Sequence, residues 1–142
     1  MKKLDWNTYH KYIDKLADTI LNNSHEGEVI LNDYKYIAGI DPDDAIVAVH
    51  LSHRLNIPVI SNTDMLSFVS HIIDTDKLLV VSNVVETGEK FKMVQTQVIG
   101  HACDTAAIFV DKNALWTPTY YVEKPKSYIY FPWQTCGIDV ED

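Results

Sequence analysis

The stretch that decides the fold is residues 78–91, LLVVSNVVETGEKF. Its opening run of apolar residues without polar alternation predicts a strand that is covered on both faces, as in a parallel sheet. A short polar turn with Thr87 and Gly88 follows, and a helix is predicted from Glu89. Free backbone N–H groups at such a helix start attract a phosphate monoester. These residues alone predict either a phosphate cradle or an ordinary turn between a strand and a helix.

The rest of the pattern places this stretch inside an α/β domain. Helices are predicted at 5–22 (with Asp5 or Asn7 as N-cap), 42–55 and 89–100, and strands at 34–40, 57–60, 77–81, 105–110, 119–123 and 127–133. Residues 61–76 are ambiguous between a loop and a helical turn. Strands that alternate with helices imply a parallel sheet, whose ligands bind at the carboxyl ends of the strands. The loops after the first and the central strand are therefore the candidate binding loops.

The composition indicates one globular domain that binds a small molecule. The 142 residues have the size of a single domain, 1–142. There are 20 acidic and 12 basic residues, a net charge of −8, and no basic cluster of the kind that nucleic acid requires. The sequence shows no run long enough to span a bilayer, no secretory signal and no cysteine spacing typical of a metal site. We expect a reduced, cytoplasmic protein without nucleic-acid or membrane partners.

Three segments occur in the order and spacing of one known family. Residues 36–60, YIAGIDPDDAIVAVHLSHRLNIPVI, form a βαβ unit, and residues 78–91 form the strand, turn and helix described above. In residues 120–133, YYVEKPKSYIYFPW, an aromatic–Ile pair precedes Pro-Trp. Together they resemble the type I phosphoribosyltransferases, most closely the xanthine–guanine and hypoxanthine enzymes. The resemblance implies an α/β fold, a central parallel sheet flanked by helices, with a small C-terminal hood.

The resemblance assigns roles to residues at the end of the central strand. The turn residues stand where the family cradles a 5′-phosphate: they are Glu86, Thr87, Gly88, Glu89 and Lys90. Glu86 also occupies the acidic position associated with proton transfer at the purine ring. Ser82 and Asn83 stand where the family holds the ribose hydroxyls with two acids. Neither is charged, so the resemblance implies weakened hydroxyl binding.

The resemblance also implies a base site and a reaction. Tyr128 stands where an aromatic ring stacks on the base, and Ile129 beside it has backbone groups available to the base edge. Lys112 lies within one residue of the position where a lysine reads an exocyclic purine oxygen. Family members transfer phosphoribose from phosphoribosyl diphosphate (PRPP) to a purine, usually with magnesium, and are commonly homodimers.

The pyrophosphate loop departs furthest from the family pattern. Relatives have an arginine and two glycines there, whereas this chain has Asp41, Pro42, Asp43 and Asp44. Proline removes one N–H donor, and each carboxylate close to an anionic ligand costs on the order of 1–4 kcal/mol. We expect three carboxylates to face the ligand, with magnesium as the only group that could bridge them to a phosphate.

Three functions remain open at this point. The first is a purine phosphoribosyltransferase that uses PRPP and magnesium. The second is a non-catalytic protein that binds a purine nucleoside monophosphate or a related ligand, and the retained turn and hood favour it. The third is an enzyme on the same scaffold with a different donor, in which residues 41–44 bind a metal.

Other reactive residues are interpreted as structural. His50 and His53 lie three apart on a predicted helix, and a metal site there is less favoured than ordinary core or surface histidines. Arg54 is expected to favour the helix dipole or form a surface ion pair. Cys103 has no neighbouring activator in the sequence, which indicates a structural cysteine and not a nucleophile.

Overall fold

Strands and helices alternate along the residues that the computed structural model describes, which are 2–22, 34–60, 77–97 and 102–134. The strands are β1 (Lys2–Lys3), β2 (Tyr36–Gly39), β3 (Val59–Ile60), β4 (Lys77–Val85), β5 (Ala102–Val110), β6 (Tyr120–Glu123) and β7 (Ile129–Tyr130). The helices are α1 (Trp6–Asn22), α2 (Pro42–Leu55) and α3 (Glu89–Gln97). The predicted helices and strands are confirmed in kind and order. Residues 61–76 and the predicted last turn of the third helix lie outside the described residues.

The central sheet has five parallel strands in the order β3-β2-β4-β5-β6. From β2 the chain crosses to β3 at one edge of the sheet, whereas from β4 it proceeds to β5 and β6 in the opposite direction. The order therefore reverses between β2 and β4. Loops that leave neighbouring parallel strands at such a reversal diverge and open a crevice. The predicted parallel α/β sheet is confirmed, and its crevice lies between the two predicted binding loops.

Helix α1 packs its apolar stripe against the sheet and α2. Tyr9, Ile13, Leu16 and Ile20 follow at helical spacing and are all fully buried. The N-cap is Asp5, whose Oδ1 accepts a hydrogen bond from Thr8 N at 2.7 Å.

Helix α3 covers the other face of the sheet. Phe91 and Val94 of this helix are buried against Val80 of β4 and its neighbours. Because both faces of β4 are covered, the strand carries no polar alternation until Ser82. The sheet therefore holds the ends of its central strands rigidly between two cores.

A second, two-stranded sheet forms the base of the hood. β1 pairs in parallel with β7, with Lys2 opposite Ile129. Leu4 N donates to the carbonyl of Tyr130 at 2.8 Å. The sequence did not predict β1, and the strand predicted at 127–133 is confined to β7. A two-residue strand leaves no recognisable pattern, because its hydrogen bonds come from a distant part of the chain.

Strand β4 is longer than predicted. The prediction ended the strand at residue 81, whereas β4 continues to Val85 and includes Ser82 and Asn83. These polar residues fit inside a buried strand because another residue satisfies their hydrogen bonds, as described below. Among the described residues, no helix is long and apolar enough to cross a membrane.

Candidate functional site

The turn after β4 leads into α3 through a glycine with positive φ, and its predicted role as a phosphate cradle stays a prediction. Gly88 adopts a left-handed backbone conformation with φ of 94°, which glycine permits at little cost. Lys92 N donates to Gly88 O at 3.1 Å and starts the hydrogen-bonded ladder of α3. Thr87 Oγ1 accepts a hydrogen bond from Glu89 N at 3.2 Å. The turn encloses a cavity of about 280 Å³ that is lined by residues 84–91.

Asp44, in the first turn of α2, is a buried residue that links the helix start to the end of β4. It is fully buried, and its Oδ1 accepts hydrogen bonds from Ser82 Oγ and from Asn83 N, each at 3.0 Å. Its Oδ2 accepts a hydrogen bond from Asp41 N at 3.0 Å. Asp44 also lines a cavity together with Asp41 and Asp43, but its oxygens already bond to the end of β4, to its own helix start and to Lys90. That three carboxylates face a ligand stays a prediction.

Lys90 lies between the turn after β4 and residues 41–44, which we call the acidic loop. Its ammonium bonds to two carboxylates of the acidic loop. Its Nζ is 2.8 Å from Asp41 Oδ2 and 3.4 Å from Asp44 Oδ2. Burial alone would lower the pKa of this ammonium, but the hydrogen bond to Asp41 and the charge of Asp44 outweigh it, so the pKa is raised. Lys90, predicted to hold a phosphate, thus already has two carboxylate partners.

Ser82 and Asn83, predicted to hold ribose hydroxyls, differ in their access to the site. Ser82 is fully buried, and its hydroxyl bonds to Asp44 and to the carbonyl of Val84. Asn83 is 8% exposed and lines the cavity beside the acidic loop. Of the two, Asn83 is the one placed to meet a ligand, and the ribose contact of both stays a prediction.

The three residues predicted to bind the base come together under the hood. Tyr128, Ile129 and Lys112 line one cavity of about 320 Å³. Tyr128 is 57% exposed. Partial burial, and then the negative charge of Glu86, raise the pKa of the Tyr128 phenol. The cavity therefore brings a largely exposed tyrosine next to polar groups, and the base-binding roles of Tyr128, Ile129 and Lys112 stay predictions.

The same cavity contains polar residues that the sequence analysis missed. Asp111 and Asn113 join Lys112 in the loop after β5, and Lys126 and Ser127 precede Tyr128. For Asp111 and Asn113, the position just after the carboxyl end of β5 was the available signal, because ligands bind there in parallel sheets.

A third cavity connects the other two. It measures about 330 Å³ and is lined by the acidic loop, including Asp41, Pro42 and Asp43, together with Asn83 and Glu86. Glu86 also lines the cavity of the turn and the cavity under the hood. The three cavities are therefore adjacent and form a groove bordered by the turn, the acidic loop and the hood, and Glu86 borders all three.

The carboxylates of the acidic loop already have hydrogen-bond and ion-pair partners, and magnesium binding there stays a prediction. Among the residues that the structure describes, no group of three or more His, Cys, Asp or Glu side chains could hold a metal. The oxygens of Asp41 and Asp44 that face the groove are bonded to Lys90, and the other oxygen of Asp44 is used by β4. A metal there would have to displace the lysine.

The residues interpreted as structural have structural partners. His50 Nδ1 lies 2.7 Å from the hydroxyl of Tyr9, inside an aromatic cluster. Arg54 forms a surface ion pair with Asp14 at 2.6 Å, as one of its predicted roles required. Burial, with the charge of Asp104, raises the pKa of the Cys103 thiol to about 11, which leaves it unreactive at neutral pH.

Comparison with solved structures identifies the fold. A purine phosphoribosyltransferase from Pyrococcus horikoshii Ot3 is 21% identical, with a TM-score of 0.71 over 93% of this chain and 92% of that one. The xanthine–guanine–hypoxanthine phosphoribosyltransferase of Helicobacter pylori is 15% identical, with a TM-score of 0.73 over 99% and 97%. A hypothetical protein from Neisseria gonorrhoeae with bound ppGpp is 18% identical, with a TM-score of 0.76 over 98% and 93%.

The chain has the type I phosphoribosyltransferase fold, as the resemblance of its sequence implied. Its structural neighbours include purine phosphoribosyltransferases of nearly the same length. No protein-family model matches the sequence, and no curated protein is significantly similar to it.

Proposed function

We propose that this chain is a phosphoribosyltransferase-like protein that binds a purine nucleoside monophosphate or a related purine nucleotide. The observation that carries the proposal is the shared lining of the site. Val84 and Glu86 border both the cavity of the turn and the cavity under the hood. A ligand with a phosphate in one cavity and a base in the other would therefore pass directly over these two residues.

Each part of such a nucleotide has a partner of suitable chemistry. The backbone N–H groups of the turn around Thr87 and Gly88 favour a phosphate monoester. Tyr128 presents an exposed ring for stacking on the base, and Lys112 supplies an ammonium for an exocyclic oxygen. Asn83 faces the cavity between them, where the ribose would lie.

The acidic loop favours a monophosphate over PRPP. Asp41 and Asp43 are exposed at the cavity where the family places the diphosphate. Carboxylates within a few ångströms of a diphosphate repel it by on the order of 1–4 kcal/mol each, depending on screening. Lys90 adds little compensation because two carboxylates already neutralise it. A nucleoside monophosphate needs neither this loop nor its missing arginine.

One structural neighbour adds weight to a purine nucleotide as ligand. The Neisseria gonorrhoeae chain holds ppGpp, which combines a guanine base with phosphate groups. We include ppGpp among the ligands to be tested. Because ppGpp carries more negative charge than a monophosphate, the acidic loop leads us to expect weaker binding of ppGpp than of GMP.

The second candidate is an active purine phosphoribosyltransferase that uses PRPP and magnesium. The position of Glu86, which borders all three cavities, favours it, because a carboxylate there lies between the phosphate and base cavities. In that reaction Glu86 would assist proton transfer at the purine ring. Magnesium would be required to screen the diphosphate from the acidic loop.

Calorimetry separates the two functions. We expect GMP or IMP to bind with micromolar affinity with or without magnesium, and PRPP to bind at least tenfold more weakly. Tyr128 is exposed, so loss of GMP or IMP affinity in Tyr128→Ala would indicate that the base binds under the hood. Tight binding of PRPP with magnesium, together with formation of nucleotide from PRPP and guanine, would establish the enzyme. Absence of binding by every ligand would overturn both functions.

A further inference from the structure

The loop between β5 and β6, residues 111–119, is held firmly at its start. Asp111 N donates to the carbonyl of Val85 at 2.8 Å, which fastens the loop to the end of β4. Asp111 Oδ1 accepts a hydrogen bond from Asn113 N at 2.8 Å, and its carbonyl accepts one from Ala114 N at 2.9 Å. These bonds close a tight turn, so the residues that follow leave it in a defined direction.

Trp116 of this loop lies against the back of the phosphate turn. A Cβ atom added to Gly88 would stand 2.9 Å from Trp116 Cβ, 3.1 Å from Cε3 and 3.2 Å from Cγ. Trp116 Cβ and the indole together therefore fill the space where a side chain at position 88 would be. Trp116 also stacks on Phe91, with ring centroids 5.0 Å apart and an interplanar angle of 29°.

Through these two contacts Trp116 packs against both the turn after β4 and the start of α3. Gly88 belongs to the turn, whereas Phe91 is a buried residue in the first turn of α3. Trp116 is outside the set of residues that line the cavity of the turn, so it supports the turn from behind and does not meet a ligand there. It is partly buried against the core that lies under α3.

A glycine turn needs such a support in order to bind phosphate well. Glycine can adopt a positive φ because it has no side chain, and for the same reason the turn can also adopt other backbone conformations. Backbone N–H groups bind a phosphate oxygen strongly only when they converge on it with good geometry, and displacements of about 1 Å weaken that alignment. A rigid ring in contact with Gly88 excludes the alternative conformations on that side.

We propose that Trp116 is a positioning residue that fixes the turn at Gly88 for phosphate binding. The inference rests on the proposed function for its ligand, a nucleoside monophosphate. The same loop begins with Lys112 and Asn113, which line the cavity under the hood. Affinity for the nucleoside without its phosphate therefore reports whether that part of the loop stays in place when Trp116 is changed.

The test measures IMP and inosine binding to four proteins: the wild type, Trp116→Ala, Trp116→Phe and Leu115→Ala. Leu115 is the matched control, since it is the adjacent residue and is 99% exposed. We expect Trp116→Ala to weaken IMP binding about tenfold and to change inosine binding less than about twofold. Trp116→Phe, which keeps an aromatic face, is expected to restore IMP binding to within about threefold, and Leu115→Ala to match the wild type. Equal weakening of IMP and inosine, or no weakening of either, would overturn the inference.

A ligand-free measurement separates this inference from the proposed function. If the wild type binds no nucleotide, the proposed function fails, and amide hydrogen exchange still tests Trp116. We expect the amides of residues 87–90 to exchange at least tenfold faster in Trp116→Ala, to recover in Trp116→Phe, and those of β4 to stay unchanged. Unchanged exchange in the turn would refute the positioning role. If Trp116→Ala does not fold, Trp116→Leu, which keeps most of the bulk without the ring, replaces it in both experiments.

Discussion

Lys90 Nζ lies 2.8 Å from Oδ2 of Asp41 and joins the two loops on either side of the crevice. Lys90 follows the turn after β4, whereas Asp41 precedes α2. The contact therefore crosses the point at which the strand order reverses, where ligands bind in open α/β sheets. An anion in the turn must compete with this carboxylate for the ammonium.

Replacing Asp41 tests this competition. We expect Asp41→Asn to raise the affinity for IMP about threefold in calorimetry at low salt, because an ion pair of two half-exposed groups is worth up to about 1 kcal/mol. The gain is expected to shrink in 0.5 M salt, which screens exposed charges. Asp43→Asn is the control, since Asp43 bonds to Gln134 and not to Lys90. An equal gain from both variants would indicate a general charge effect.

Asp44 is expected to be important for stability. Asp44→Ala leaves Asn83 N and Asp41 N without their acceptor and removes one of the two acceptors of Ser82 Oγ. Each unsatisfied donor costs about 1–3 kcal/mol, and partial rearrangement or water entry recovers some of it. We expect urea unfolding to show a loss of about 3 kcal/mol. Asp44→Asn, which keeps one acceptor oxygen, is expected to lose less.

The exposed neighbour provides the comparison for Asp44. Asp43→Ala removes the same charge from the same helix turn without orphaning a buried donor, and its loss is expected to stay below about 0.5 kcal/mol. Similar losses for Asp43→Ala and Asp44→Ala would show that Asp44 contributes through charge at the helix start and not through its buried hydrogen bonds.

Tyr128 is expected to affect binding without affecting stability. The residue is 57% exposed, so Tyr128→Ala removes little buried surface and the melting temperature should stay within about 2 °C. Loss of stacking on a base is worth about 1–3 kcal/mol, which corresponds to at least fivefold weaker IMP binding by calorimetry. Tyr128→Phe keeps the ring and should bind normally. Unchanged IMP binding by Tyr128→Ala would show that the base does not bind in the cavity under the hood.

The turn itself gives a prediction about strain. Gly88→Ala places a methyl group at positive φ and within 2.9 Å of Trp116 Cβ. We expect it to lower the free energy of unfolding by about 2 kcal/mol, part from the backbone and part from the collision. In a Trp116→Gly background, which lacks Cβ as well as the ring, the collision is absent, so a double-mutant cycle should show a coupling of about 1 kcal/mol. A cycle without coupling would place the whole cost in the backbone.

The lowered pKa of His50 predicts that the stability of the protein depends on pH. Burial, with smaller effects from His10, His53 and Arg54, lowers the pKa of His50 from its ordinary value of 6.5. As pH falls through about 6.5, the unfolded chain takes up this proton before the folded protein does, so stability decreases. Protonation also prevents Nδ1 from accepting the hydroxyl proton of Tyr9. The melting temperature should therefore fall between pH 7.5 and pH 5.5.

Substitution assigns that pH dependence to one residue. His50→Gln is expected to flatten the decline in melting temperature, although it lowers stability at neutral pH by removing a packed ring. His53→Gln, at an exposed position of the same helix, should leave the decline close to that of the wild type. A decline that persists in His50→Gln would assign it to other titrating groups.

Much of the fold could be predicted because its signals are local. The apolar spacing of α1 and the continuous apolar run in β4 specify a helix and a buried strand without reference to the rest of the chain. The positions of the two loops at the crevice followed from the alternation of strands and helices. β1 could not be predicted, since β7, the strand with which it pairs, lies near the other end of the chain.

The site was predicted less completely, because its contacts join distant segments. The sequence showed acids at 41–44 and a lysine in the turn, but the Lys90–Asp41 contact depends on how β2 and β4 align. The buried position of Asp44 has the same origin, because only the folded sheet brings Ser82 to its carboxylate. Trp116 carries no motif, and its contact with Gly88 required the structure.

The pairing of Lys2 with Ile129 has a consequence for folding. The core sheet can form from contiguous βαβ units, whereas β1 has no partner until the last described strand is synthesised. Contacts between such distant segments close large loops and form late. A kinetic experiment should therefore detect two phases, with Tyr128 reaching its final environment only in the slower one. A short extension before Lys2 would be expected to delay that phase while leaving formation of the central sheet unaffected.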